Sequence, residues 1–165
     1  YDSLRHACDT ARTRLRLSGI TILKQGDDER SRLLTAFKDD TSSVLFATDS
    51  FWEGVDVPGE SLSQVIIVKL PFGVPSDPVF AARSEQIQKR GGNPFMELSV
   101  PQAVIKFRQG FGRLIRRGDD RGAVICLDRR IMEKMYGRVF LNSIPDCKKM
   151  YAPLNDILAA VGDFI

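Results

Sequence analysis

What most limits how this chain can fold is a set of four short β-branched and apolar runs, Ile20 to Leu23, Val44 to Ala47, Val65 to Val68 and Ala123 to Leu127, separated by helix-length amphipathic stretches. Runs this short that are apolar on both alternating faces predict strands buried on two sides, and such strands joined by helices predict a parallel sheet. The expected class is α/β, three-layered, with a mainly parallel sheet flanked by helices. Leu4, Ala7, Cys8, Ala11 and Leu15 recur at steps of three and four opposite Arg5, Arg12, Arg14 and Arg16, which predicts a helix ended by Gly19. Leu33, Leu34 and Phe37 mark a second helix, opened by the acidic Asp27, Asp28 and Glu29. Asp77 and Pro78 form a cap and first turn for a third, reaching about Arg90 before the Gly91 to Pro94 break. Pro101 is expected to open a long helix to about Arg117. Beyond Leu127 the pattern predicts one helix through Met135, Tyr136, Val139 and Phe140, and a last one through Leu154, Ile157, Leu158 and Val161.

With 165 residues, 43% of them hydrophobic, the chain can bury the core of one domain, and disorder is excluded. Cys8, Cys126 and Cys147 lie far apart and His6 is the only histidine, so neither a zinc site nor a disulfide framework is expected, and the natural compartment is a reducing cytosol. No metal site is expected in this chain. No apolar run approaches the roughly eighteen residues of a membrane span, so a membrane partner is not expected. The net charge of +3 is too mild to identify a nucleic-acid partner. Its distribution says more: between Lys106 and Arg130 eight basic residues face three acids, which leaves the remainder net negative. Positive charge is gathered on one motif, as phosphate handling requires.

That motif lies on the helix after Pro101. Val104, Phe107, Phe111 and Leu114 make one apolar stripe, and Gln109, Arg113 and Arg116, spaced four and three apart, share an arc of about 60° on a different face. Neighbouring guanidiniums repel, and the arrangement suits an anion held between them. Gly110 and Gly112 each cost about 1 kcal/mol against alanine inside a helix, which points to close backbone approach. Spacing alone fits a solvated basic face equally well.

Gln109 to Arg116, QGFGRLIR, resembles the QxxGRxxR motif six of superfamily 2 helicases. Leu45 to Pro78, LFATDSFWEGVDVPGESLSQVIIVKLPFGVPSDP, resembles motif five of the DinG/XPD branch with its following strand and loop. The two stand in the family's order, and the similarity runs from Tyr1 to about Arg130. The resemblance implies a single domain over residues 1–165, the second RecA-like motor domain of an ATP-dependent DNA helicase acting in repair or replication. It also implies an excised piece, since the chain starts at Tyr1 without methionine, lacking the N-terminal motor domain and the opening strand, and inactive alone. ATP with magnesium would be bound mostly by that absent domain, whose partnership this chain needs. No phosphate loop occurs here, and iron-sulfur ligation, found in many relatives, would lie upstream.

Residue by residue, the resemblance places the arginine finger on Arg116, with Arg113 and Gln109 beside it as catalytic residues. Gly112, Glu53, Gly54 and Asp56 fall on the nucleotide side, Asp56 reaching the ribose or ordering the finger. Thr48 is the motif-five residue whose hydroxyl or backbone touches a phosphate of single-stranded DNA, with Asp49 and Ser50 beside it. Trp52 could stack on a base, as could Phe51, but packing beneath the loop is favoured for Trp52 and more strongly for Phe51. Lys69 and Phe72 line the strand channel or belong to a rigid connector, two readings of equal weight. Asp28 and Glu29 imitate a magnesium-binding pair but sit at an ordinary helix start. Two rivals to the helicase motor stand: a motor-like domain of a DinG-type exonuclease, and a non-catalytic nucleic-acid-binding module. Oligomeric state does not follow from these residues.

Overall fold

Thr21–Lys24 (β1) and Ser43–Phe46 (β2) pair in parallel, Thr21 opposite Ser43 and Lys24 opposite Phe46. A parallel pair needs a crossover. Here the crossover carries α2, Arg30–Asp39, which packs on both strands. In this computed structural model residues 2–52, 57, 61–73, 77–115 and 121–164 are described. They divide mainly into two compact units, 1–64 with 113–123, and 65–112 with 124–164.

In the first unit, Leu33 and Phe37 of α2 are buried with Phe51 and Val57, and Leu23, Leu34, Leu45, Ala47 and Leu62 pack against them. Full burial of side chains this size contributes about 2 kcal/mol each, which fixes the helix on its strands. Helix α1, Asp2–Arg14, contacts β1 and buries Cys8 completely, while Leu4, Ala11 and Leu15 are half-buried and Ala7 is exposed. The turn out of β1 passes Gly26 at φ +96°, a backbone conformation that favours glycine. The expected acidic opening stands just ahead of α2 and not within its first turn, with Asp28 3.6 Å from Arg32 of the helix. Asp27 bridges Arg12 and Lys24, Asp28 accepts the Glu29 N–H at 2.7 Å, and Glu29 is an N-cap without a side-chain bond.

Gln64–Ile67 (β3) pairs with Ala123–Cys126 (β4). The Ala123 N–H donates to the Ser63 carbonyl and the Leu127 N–H to that of Ile67, so both indices rise together and the pair is parallel. The α/β class is as expected. Burial on both strand faces is not: Ile67 is buried, but its neighbours Ile66 and Val68 are 52% and 63% exposed, and Val44 of β2 is also exposed. Successive strand residues point to opposite sides, so the face of the third run that carries Ile66 and Val68 is left open among the described residues.

Helix α3, Pro78–Lys89, begins as the sequence predicts, with the Asp77 carboxylate accepting the Val79 N–H at 2.9 Å. It ends at Gly91, φ +76°, where the Gly91 and Gly92 N–H groups close on the Gln88 and Ile87 carbonyls. The next helix starts earlier than Pro101. The Asn93 side chain accepts the N–H groups of Phe95 and Met96, a π-helical turn runs over Phe95–Ser99, and α4, Val100–Leu114, continues from it. Val104, Phe107, Phe111 and Leu114 are buried as the stripe predicts, joined by Val100 and Ala103. The helix is described to Leu114, and the expected end at Arg117 lies outside the described residues.

After β4 a short helix that the sequence did not announce, α5 at Arg130–Glu133, precedes the expected one, which is α6 at Gly137–Ser143 and leaves Met135 outside it, 93% exposed. Gly137 lets the two helices lie close, since a Cβ there would stand 2.0 Å from the Ile131 carbonyl oxygen of α5. Phe72, Phe95, Phe107, Tyr136 and Phe140 form an aromatic cluster, with Phe140 fully buried. Helix α7, Leu154–Gly162, keeps Leu154 and Leu158 about half exposed.

Candidate functional site

In open α/β sheets, ligands gather beyond the carboxyl ends of parallel strands. Gln25 directly follows β1, and Thr48 stands two residues after β2. The Gln25 side-chain oxygen accepts twice from Thr48, from its N–H at 2.8 Å and its hydroxyl at 3.0 Å. The Thr48 hydroxyl is also 2.8 Å from that of Ser50. Both of Thr48's donors are therefore engaged within the chain. A short 3-10 turn, Asp49–Trp52, follows, held by the Phe51 N–H on the Thr48 carbonyl. Phe51 is buried in the core, in line with packing, and Arg30 lies over its ring at 5.2 Å while donating to its carbonyl. Thr48, Asp49 and Trp52 are half-buried and Ser50 is exposed. Glu53, Gly54 and Asp56 lie outside the described residues.

On α4, Gln109 is exposed and Arg113 half-buried, four residues apart and so on one face. Gly110 is buried. Gly112 is exposed, and among the described residues a Cβ there would meet nothing within 4 Å, so none of them makes the close approach expected at this glycine. Arg116 lies outside the described residues. The same face continues toward the start of α4 through Lys106 and Gln102, spaced three and four back from Gln109. These two, with Gly73, Asp77, Phe80 and Ile105, line an open cleft of about 450 Å³.

The ends of β3 and β4 are joined by a hydrogen bond to a carboxylate that also belongs to an ion pair. Asp128, its side chain 9% exposed, accepts the Leu70 N–H at 2.8 Å, the Arg130 N–H at 3.1 Å and the Arg130 guanidinium at 2.6 to 3.1 Å. The guanidinium is the main reason its pKa falls to about 2, the Leu70 and Arg130 backbone bonds adding to it and desolvation opposing. Arg130 also lies over the Phe72 ring at 5.3 Å. Phe72 is thereby held between a cation and the rings of Phe95, Tyr136 and Phe140, while Lys69 is exposed.

Three of these residues escaped the sequence reading. Gln25 had one signal, its place at the end of a predicted buried strand. Asp128 and Arg130 counted only as charge, and nothing local marks their tie to Leu70.

Set against known proteins, the chain matches the model of the helicase C-terminal domain over residues 1–147. It is 49% identical over 132 residues to the ATP-dependent DNA helicase YoaA of Haemophilus influenzae, a match covering 80% of this chain and 21% of that protein. The 3'-5' exonuclease DinG of Bacillus subtilis is 44% identical over 147 residues, 88% of this chain and 16% of the relative. The ATP-dependent DNA helicase DinG of Photobacterium profundum is 44% identical over 154 residues, 91% and 22%. The chain thus spans about a fifth of the length of the curated relatives it matches.

Proposed function

The chain belongs to the helicase C-terminal domain family, and from that premise we propose that it is the second motor domain of an ATP-dependent DNA helicase. Its α4 side chains complete an ATP site shared with the first motor domain, and its strand ends grip single-stranded DNA. The observation that carries this is the α4 face itself: an amide and a guanidinium in QxxGRxxR spacing beside a glycine whose outer side is open. That face suits a triphosphate edge delivered from outside. Among the described residues no cluster of three or more His, Cys, Asp or Glu could hold a metal ion. In this reading the magnesium accompanying ATP is held mostly by the first motor domain, as is any iron-sulfur cluster. No helix among the described residues is long and apolar enough to cross a membrane.

Arg116 acts as the arginine finger. As the terminal phosphate transfers to water, negative charge shifts onto its own and the bridging oxygens, and a guanidinium there stabilises the transition state more than the ground state. Arg113 adds charge from the preceding turn, and Gln109 positions the attacking water or the two arginines. Gly112 leaves room for the nucleotide, while Glu53, Gly54 and Asp56 lie on its ribose side. Thr48, Asp49, Ser50, Trp52, Lys69 and Phe72 face the DNA strand. The segment from Thr48 to Asp56 meets both ligands, which couples hydrolysis to strand movement.

The test is DNA-stimulated ATP turnover of the full-length protein. Arg116→Ala is expected to lower turnover about a thousandfold or more while nucleotide binding persists, the scale of a lost arginine finger. Turnover within about threefold of the parent rejects the assignment. One relative bears the name of an exonuclease, which favours a second reading, a motor-like domain serving a nuclease. Strand degradation without DNA-stimulated ATP turnover would establish it.

A further inference from the structure

We propose that Gln25 is itself a nucleic-acid-binding residue, its side-chain amide donating to a phosphate oxygen of the strand at the carboxyl ends of β1 and β2, with Thr48 and Ser50 holding it in place. This deepens the function proposed above and rests on it, since it takes that strand edge to be where DNA lies.

The inference follows from counting donors. A backbone N–H can only donate, so the Gln25 atom facing the Thr48 N–H at 2.8 Å is the oxygen, which settles which way the amide is turned. The one proton of the Thr48 hydroxyl goes to the same oxygen at 3.0 Å. The Thr48 oxygen then accepts the Ser50 hydroxyl proton at 2.8 Å. Gln25's own backbone N–H is used on the Phe46 carbonyl. Every donor of Thr48 and the hydroxyl of Ser50 is directed inward. What remains is the Gln25 NH2 group, two N–H bonds without an acceptor among the described residues, on a half-buried side chain held at its oxygen by two bonds. A donor pair fixed at its other end is preorganised for an oxyanion, and losing such a contact to a charged group is worth about tenfold in affinity.

The substituted positions separate binding from mere clamping. Gln25→Glu keeps an oxygen for both Thr48 donors but replaces the NH2 group with an anionic oxygen. Gln25→Ala removes donor and clamp together without adding charge. In the full-length protein, titrated with single-stranded oligothymidylate by fluorescence anisotropy, both variants are expected to bind about tenfold more weakly or worse. The Glu variant should keep the parent's melting temperature. In the Ala variant the dependence of affinity on salt should stay that of the parent, because a neutral donor displaces no counterion. Affinity within about twofold of the parent in either variant overturns the inference.

Ser50→Glu, a charge at the exposed neighbour, distinguishes the two ways to fail. If it weakens binding while a Gln25 variant does not, DNA lies on this edge and Gln25 is only a clamp. If neither Ser50→Glu nor the Gln25 variants alter affinity, the placing of DNA here fails together with the inference.

Discussion

At the carboxyl ends of its strands each parallel pair is tied by one side chain to a backbone N–H of the partner strand's loop, and the two ties differ in kind. Between β1 and β2 the tie is the neutral amide of Gln25 on Thr48, and between β3 and β4 it is the carboxylate of Asp128 on Leu70. Asp128 is saturated: two backbone N–H groups and a guanidinium occupy it, and its side chain is almost wholly buried. Gln25 is half spent, its oxygen used and its NH2 group without an acceptor among the described residues. A side chain with its full complement of bonds holds structure, whereas one fixed at one end with capacity left at the other is built to meet something else. The saturated tie secures the Leu70–Phe72 loop against its aromatic cluster, and the unsaturated one lies beside the loop that carries the motif-five residues.

The contrast breaks most visibly at Asp128. Asp128→Ala strands the buried Leu70 N–H and releases Arg130, and should cost about 2 to 3 kcal/mol in denaturant unfolding of the full-length protein. A cost below about 0.5 kcal/mol would make the two ties equivalent and remove the distinction.

Acid offers a second way to separate them. Asp128's pKa in the folded chain is about 2, below its ordinary 3.8. Its contribution is therefore complete above about pH 4 and drains away as pH falls toward 2, because the unfolded chain takes up the proton first. Denaturation midpoints should drop across that window in the parent and less steeply in Asp128→Asn. Gln25→Ala should follow the parent's slope, since an amide does not titrate. Asp27, its pKa lowered chiefly by its bond to Arg12 and then by Lys24, adds to the acid sensitivity of the first unit from a partly exposed position, where solvent screening keeps the effect small.

The smallest effect carries the same test of unused capacity to α4. Gly112→Ala meets no atom of the described residues within 4 Å, so the gain in helix propensity should raise stability by about 0.5 to 1 kcal/mol. If the open side of Gly112 receives the nucleotide or the other motor domain, the same variant loses ATP turnover. Raised stability with unchanged turnover would show that no ligand approaches there.

Much of the architecture could be read from periodicity, and the errors share a cause. The four strands fall within a residue or so of their apolar runs, α3 carries its predicted cap, and the α4 stripe is buried. Those features depend on residues a few positions apart. The sequence reading fell short where contacts outside the local pattern decided: Arg12 and Lys24 hold Asp27 ahead of α2, and an unannounced short helix, α5, packs against Gly137 before the predicted one. Of the predicted site residues, Gln109 and Arg113 share a helix face and Thr48 lies at a strand end, as their spacing implied. Phe72 shows what spacing could not, since its cation and its three ring partners come from separate segments.

By itself the sequence determined the α/β class, the helix-borne grouping of amide and arginine, and the family, because hydrophobic period and motif spacing are written along the chain. Only the tertiary structure decided which polar groups have bonding capacity left. Thr48 is satisfied by a residue 23 positions away and Leu70 by one 58 positions away, and a hydrogen bond depends on distance in space, which separation along the chain does not set.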